Sequence, residues 1–327
     1  MGNYLLKRLI IMVGMIIAIT IVSFIIIQLP PGNFVTVYIS ALRATGQQVN
    51  EAEIARLMAM YGLDRPVYVQ FFIWVRGFFN GSMGYSFAFN KPVLELVIPA
   101  LRISAIIALI VFVVLISLQI IIGYYAARKK NTALDYIISF VGTVGMSVPS
   151  FVVALFALWI AYLLTGRSFA GLFSREFLME PFSFAKFLNG LQHLIIPVCV
   201  VAFCGLFRYK NIRANMLDEI NKPYVVTARA KGLDENKLMI KYPLRMAMIP
   251  IIGNIGMMLA ALISGEAIIG IVLNLPTLGP LMLSALRAQD MYLAGSILLI
   301  QSIMILIGIF VSDICLVLID PRVRLDK

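Results

Sequence analysis

Charge is scarce in this chain. Only 13% of its 327 residues are Asp, Glu, Lys or Arg, about half the share of an ordinary soluble protein. Histidine occurs once, at His193, which excludes a metal site built from several imidazoles. Cysteine occurs three times, at Cys199, Cys204 and Cys315, each inside an apolar run. An odd count at such positions argues against a disulfide framework and for packed thiols. There is no G-x-x-x-x-G-K-[ST] segment, so ATP binding in the P-loop manner is excluded. What the chain has instead is apolarity: 61% of residues are hydrophobic and the mean hydropathy is +0.96. That is too much for one water-soluble core, which argues against a soluble enzyme or a nucleic-acid module. The charge that remains is lopsided, 27 Lys and Arg against 16 Asp and Glu for a net +11. In a membrane protein such a bias marks cytoplasmic loops. Together these features describe an all-α integral membrane protein.

A hydrocarbon layer about 30 Å thick takes roughly 20 helical residues. Six stretches qualify, over about 9–29, 103–127, 136–164, 191–207, 246–273 and 292–319. The first is too long for a signal-peptide core and runs into Gln28-Leu29-Pro30-Pro31-Gly32 with no small-x-small cleavage site, so it is expected to be retained. Lys7 and Arg8 precede it, and Arg128, Lys129 and Lys130 separate the second and third stretches. Nine of the 27 basic residues fall between 208 and 245, and Arg322, Arg324 and Lys327 lie in the tail. The positive-inside rule then places both termini and the 208–245 loop in the cytoplasm of a multi-pass cell-membrane protein. The chain divides into an N-terminal span (1–29), an extracytoplasmic helical insertion (30–98) and a five-helix core (99–327).

Two segments are more than connectors. In the insertion, Asn50 and Glu53 have capping-box spacing, and Ile54, Leu57, Met58 and Tyr61 share a helical face. Gly62 suits the position after the helix, and Val67, Phe71, Trp74 and Phe78 mark a second amphipathic helix after Pro66. The pair is a packed cap, a docking surface, or both. In the basic loop, Pro223 fits a first helical position, a helix over 224–231 is ended by Gly232, and Asp234 caps a second helix reaching Pro243. Within the spans, Pro149 between Ser147 and Ser150 is expected to kink the third helix, the hydroxyls satisfying freed carbonyls. Pro276 and Pro280 flank Gly279 in what reads as a structured turn after the fifth. Glu266 in the fifth span and Asp313 in the sixth are ionisable groups in apolar helices. Such groups are costly and mark either a polar contact or function.

The loop sequence Tyr224-Val225-Val226-Thr227-Ala228-Arg229-Ala230-Lys231-Gly232-Leu233 resembles the coupling loop of permease subunits of binding-protein-dependent ABC importers, in the oligopeptide/dipeptide/nickel branch. Further segments match in order across nearly the whole chain: Pro31-Gly32, Tyr61-Gly62-Leu63-Asp64-Arg65-Pro66, Gly81 to Ser86, Ser147 to Phe151, Leu275 to Gly279, Asp290, and Asp320 to Arg324. There are departures. The general pattern has Glu where Val226 stands, though this branch often lacks it. Tyr242-Pro243 replaces an amide or His-Ala pair, so the second loop helix is expected to end early. The branch's glutamate at the position of Gly270 is absent, and Glu266 lies one turn earlier.

The resemblance implies a type I ABC importer permease with six spans and an insertion after the first. Its coupling loop, with Tyr224, Thr227, Ala228, Arg229, Ala230, Lys231, Gly232 and Leu233, is expected to dock on a cytoplasmic ATPase, Arg229 and Lys231 orienting it. Ser147, Pro149, Ser150, Glu266, Pro276 and Gly279 are candidates for the pathway and its gates. Tyr61, Asp64, Trp74 and Tyr85 are candidates for contact with a solute-binding protein. The implied partners are a second permease subunit in a heterodimer, two ATPase subunits, an extracytoplasmic solute-binding protein and membrane lipid, but no nucleic acid. ATP and Mg are expected on the ATPases, with no cofactor or metal in this chain and no catalytic residues. The implied cargo is peptide, with oligosaccharides and nickel chelates also handled by the branch. An ion-coupled secondary transporter is the alternative, but no inverted repeat or midplane ion pair supports it. An intramembrane enzyme lacks a convergent catalytic set.

Overall fold

The computed structural model describes residues 2–46 and 50–319, with side chains for all of these except 2–5, 61, 260, 264–266 and 319. Helix α1 spans Gly2–Gln28. Helix α2, Phe34–Ala44, begins with a reciprocal cap: Asn33 Oδ1 accepts from Thr36 N, and Thr36 Oγ1 accepts from Asn33 N. Helix α3, Glu51–Tyr61, starts at Asn50 as expected, although Asn50 Oδ1 accepts from Ala52 N rather than from the Glu53 amide. Gly62 ends it at φ +67, a left-handed turn that a side chain resists. Helix α4, Val67–Phe79, follows Pro66. A two-residue hairpin pairs β1 (Tyr85–Ser86) with β2 (Lys91–Pro92). Then come α5 (Val93–Arg128), α6 (Ala133–Ser147), α7 (Ser150–Thr165), α8 (Phe184–Gly205) and α9 (Tyr209–Ile220). The chain continues through α10 (Pro223–Ala230), α11 (Glu235–Met239), α12 (Arg245–Gly253), α13 (Ile255–Val272), α14 (Leu278–Arg287) and α15 (Met291–Ile319).

Five of the described helices are long and apolar enough to cross a membrane, or up to six if a bent pair counts as one span. That pair is α6 and α7, which meet at 104°. The expected kink at Pro149 is therefore a full break. Proline excludes its predecessor from helical backbone, and Val148 is extended at φ −88, ψ 129. Ser147 returns its hydroxyl to Thr143 O at 2.8 Å, within its own helix. The expected fifth span over 246–273 is also two helices, and only 255–272 qualifies as a span. Here the break is at Asn254. Its Nδ2 donates to Pro250 O at 2.9 Å, taking the carbonyl that the Asn254 N–H would use, and that N–H tightens onto Ile251 O at 3.0 Å. The expected fourth span, 191–207, is the middle of a longer helical run over 184–220, interrupted by a 3₁₀ turn at Leu206–Arg208.

The chain packs as two compact units. One comprises residues 2–104 and 276–304. Its core gathers Phe24, Trp74, Phe87, Val93, Val97, Leu278, Tyr292, Leu293 and Ile297. Trp74 stacks on Phe24 at 5.6 Å and meets Phe78 edge-on at 5.1 Å. The turn at Pro276 leads into α14, and Gly279, expected in a turn, is buried inside that helix. Leu278 N donates to Ser104 Oγ at 3.0 Å. Asp290 holds the hairpin in this unit. Its carboxylate accepts from Ser86 Oγ at 2.6 Å, Ala88 N at 3.0 Å and Leu293 N at 3.2 Å.

The other unit comprises residues 105–275 and 305–319 among those described. Gly142 and Gly145 let α6 approach closely: a Cβ at Gly142 would sit 2.9 Å from Tyr209 Cε1, and one at Gly145 would overlap the Phe203 carbonyl. Arg213 on α9 forks onto Asp135 at the start of α6, Nε to Oδ1 at 2.9 Å and Nη2 to Oδ2 at 2.7 Å. The end of α12 is capped from α15, the Ser312 hydroxyl lying 2.9 Å from the carbonyls of both Ile252 and Gly253. His193 is buried in α8 between Gly171 O, 2.9 Å from Nδ1, and Ser174 Oγ, 3.1 Å from Nε2. A carbonyl only accepts, so Nδ1 carries the proton. The three cysteines are free thiols.

Burial pushes the Asp290 carboxyl above its ordinary value, against the pull of the hydrogen bonds from Ser86, Ala88, Leu293 and Phe87. A raised folded-state value means that stability falls as pH climbs from the usual carboxylate range, near about 4, through the raised value, and then levels. Asp290→Asn is expected to flatten that slope in thermal unfolding of the detergent-solubilised protein. Asp290→Ala leaves buried donors unpaired and should cost on the order of 2–4 kcal/mol.

Candidate coupling loop and pathway elements

The basic loop is built from a short helix held on one side. In α10, Pro223 occupies the first helical position, where its missing N–H costs nothing. Gly232 follows at φ +80. A Cβ at Gly232 would meet nothing within 4 Å, so the constraint there is the left-handed backbone and not space. Asp234 caps α11, its Oδ2 accepting from Asn236 N at 3.1 Å and Lys237 N at 3.2 Å. As expected, the second α-helix ends early, at Met239, before Tyr242-Pro243. The chain passes through a π-helical turn at Ile240–Leu244, with Pro243 inside it, and goes straight into α12. The wider turn accommodates the ring and the missing N–H without breaking the path.

One face of α10 is closed. Val225 is 0% exposed and packs with Ala127, Ile212, Met216, Leu238, Met239 and Ala247, while Ala228 and Leu233 lie against the edge of this cluster. These residues come from α5, α9, α11 and α12, so α10 rests on four other helices. The opposite face carries Tyr224, Thr227, Arg229, Ala230 and Lys231 in the open. The Thr227 hydroxyl donates to Pro223 O of its own helix at 2.8 Å.

Two acidic residues, neither apparent as a site from sequence, brace this face. Glu235 takes both arms of Arg229, Nε at 3.0 Å and Nη2 at 2.8 Å. Glu219 receives both Lys222 Nζ and the Tyr224 hydroxyl. Arg229 is thus committed to its own loop, across the Gly232 turn, whereas Lys231 makes no ion pair among the described residues. Partial burial and the Glu219 carboxylate push the Tyr224 phenol up to about 12. The hydrogen bond from Arg229 holds the Glu235 carboxyl below its usual range. The spacing from Glu219 to Lys222 is a local signal, but the Arg229–Glu235 pairing depends on the turn between them.

The remaining candidates do not form one site. Ser147 and Pro149 are exposed and Ser150 half-buried at the α6–α7 break. Pro276 is exposed in the turn before α14 and Gly279 is buried in that helix. Glu266 lies in α13, and its side chain is outside the described residues. In the insertion, Asp64 is exposed, and Tyr85 is exposed with its hydroxyl donating to Asn90 O at 2.7 Å. The side chain of Tyr61 and the segment from Asp320 to Arg324 lie outside the described residues. Trp74 is a correction: it is 1% exposed, and its indole N–H lies 3.4 Å from Ser296 Oγ. It is a core anchor, unavailable to a partner, because the apolar face of α4 turns inward.

A bidentate pair this exposed contributes under about 1 kcal/mol. Glu235→Gln should therefore leave the melting temperature nearly unchanged while raising amide hydrogen exchange over 223–233. Because the Glu235 value is lowered in the folded state, the pair's contribution is present at neutral pH and lost as pH falls through that lowered value. Val225→Ala empties part of a closed cluster and should cost about 2 kcal/mol, read by thermal unfolding.

Residues 119–325 match the family model described as the inner membrane component of binding-protein-dependent transport systems, and residues 1–109 match its N-terminal companion. The chain is 28% identical to the oligopeptide transport system permease protein AppB of Bacillus subtilis over 328 residues, covering 99% of this chain and 100% of that one. It is 31% identical to a putative peptide permease protein of Brucella suis over 329 residues, covering 99% of each. It is 28% identical to the dipeptide transport system permease protein DppB of Lactococcus lactis, covering 99% of this chain and 100% of that one. These full-length matches lead to one conclusion: the chain belongs to the family of membrane components of binding-protein-dependent transport systems, a multi-pass permease subunit of an ABC importer and not an enzyme.

Proposed function

We propose that this permease carries peptides, forming half of the translocation pathway of an ATP-driven importer. The relatives named above are called oligopeptide, dipeptide or peptide permeases and match the chain end to end. Membership in a binding-protein-dependent family also sets aside the ion-coupled alternative. The partners are a second permease subunit, two cytoplasmic ATPase subunits that hold ATP and Mg, and a solute-binding protein approaching the 30–98 insertion. The termini and the 208–245 loop face the cytoplasm.

The observation that carries the coupling reading is the geometry of α10. The helix is fixed on its inner face by Val225, stopped by Gly232 and open on its outer face. In that role, a displacement of the ATPase is passed to α9 and α12 through packed side chains rather than through flexible chain. Arg229 acts as an internal brace, and Lys231, Tyr224 and Ala230 form the contact surface.

Affinity purification of the tagged chain from its native host should bring down two ATPases and a second permease, and the assembly in liposomes should take up peptides on addition of the binding protein and ATP. A solitary oligomer with ion-driven uptake contradicts the reading. Proline cannot adopt the +80° φ of Gly232. Gly232→Pro should therefore abolish ATPase association while leaving membrane insertion intact, and normal assembly of that variant removes the coupling role.

A further inference from the structure

A cavity of about 530 Å³ lies in the unit that contains the coupling loop. Its walls come from α5, the turn between α8 and α9, α9, and the broken helix at Asn254, and its polar lining residues are Gln119, Arg208, Asn211, Asn215 and Asn254. Among the described residues no acidic side chain lines it. Two of the lining positions, Arg208 and Asn254, are the places where helical runs are interrupted. In a membrane protein irregular backbone is tolerated where it is buried in protein or lines a water-filled cavity.

The hydrogen bonds fix which atoms remain available. Gln119 Nε2 donates to Gly205 O at 3.0 Å, Asn215 Nδ2 to Ala247 O at 3.3 Å and Asn254 Nδ2 to Pro250 O at 2.9 Å. Because each partner is a carbonyl, the bonded atom of each amide must be the nitrogen. Three amide oxygens are thus left as acceptors, while Asn211 has no side-chain partner among the described residues. The Arg208 guanidinium makes no ion pair among the described residues either and lies over the Phe207 ring, 5.9 Å from the centroid. Amide acceptors beside an uncommitted guanidinium match a ligand with main-chain N–H groups and a carboxylate. Arg binds carboxylates bidentately.

Resting on the peptide reading above, we propose that this cavity is a subsite for the carboxyl-terminal end of the peptide cargo, with Arg208 receiving the terminal carboxylate and the Gln119, Asn215 and Asn254 oxygens accepting from peptide N–H groups. The cavity then senses a feature every linear peptide shares, independent of its side chains. It is suited to a permease that accepts varied sequences.

The test uses the complete transporter in nanodiscs, with Cys199, Cys204 and Cys315 replaced by serine and a reporter thiol introduced by Ala214→Cys at the cavity wall. Maleimide labelling of that thiol is followed while a transported peptide, or the same peptide with its carboxyl terminus amidated, is added directly. The free acid should protect at a concentration about tenfold lower than the amide, the scale of one charge-assisted hydrogen bond. Arg208→Gln should bring the free acid to the amide's value and leave the amide unchanged, whereas Arg208→Lys should retain part of the difference. Equal protection by both forms, or an Arg208→Gln variant that weakens both equally, overturns the subsite. Uptake of the same peptide by the wild-type transporter separates the two claims. No peptide uptake ends the peptide reading and the subsite with it, while uptake with protection that does not depend on Arg208 ends the subsite alone.

Discussion

The burial of Val225 in the middle of a helix open on its other side is the constraint on which the order of the 208–245 loop depends. An eight-residue helix is too short to be stable alone in water. Its order comes from one inward face seated among Ile212, Met216, Leu238 and Ala247, on helices that continue toward the apolar segments. The outward face of α10 stays exposed while the inward side fixes the helix. Arg229 and Glu235 then lock the turn at Gly232, and Glu219 ties Tyr224 and Lys222 to the end of α9. The loop is a small rigid body of packed side chains and charge pairs, so force applied to it reaches α9 and α12.

The breaks in the long helices have separate chemical causes. At Val148-Pro149 the proline excludes helical backbone before it. At Asn254 an asparagine side chain outcompetes its own backbone N–H for the Pro250 carbonyl. At 206–208 the run tightens to a 3₁₀ turn and resumes. The last two flank the polar cavity, and the carbonyls freed at the end of α12 are collected by Ser312. The interruptions therefore coincide with polar groups that satisfy the exposed backbone, as a low-dielectric surrounding demands.

Much of this was legible in the residues where the cause is local. The long apolar runs, the cap at Asn50, the left-handed glycines 62 and 232, Pro223 at a first turn and Asp234 at a second each act within a few positions. Features set by partners distant in sequence were not. The periodicity of α4 marked an apolar face without saying where it pointed, so Trp74 read as a docking residue although it is a core anchor. Arg229 read as a contact for another subunit because Glu235 meets it only once the Gly232 turn has formed. The split at Asn254 carried no proline at the break itself, and α14 was hidden by Pro276 and Gly279, which look like turn residues until Leu278 is seen bonded to Ser104. Pro243 marked an end to the second loop helix but not the π turn that carries the chain on, which nothing local announces.

The claim that the loop moves as one piece with α9 is open to direct measurement. Spin labels on Thr227→Cys and Asp218→Cys, both exposed positions, report the distance between α10 and α9 in the assembled transporter by pulsed electron paramagnetic resonance. The account predicts the same narrow distribution in the nucleotide-free and ATP-trapped states. A distribution that shifts by several ångströms or broadens on trapping would show that α10 swings on its own, contradicting the rigid-lever account.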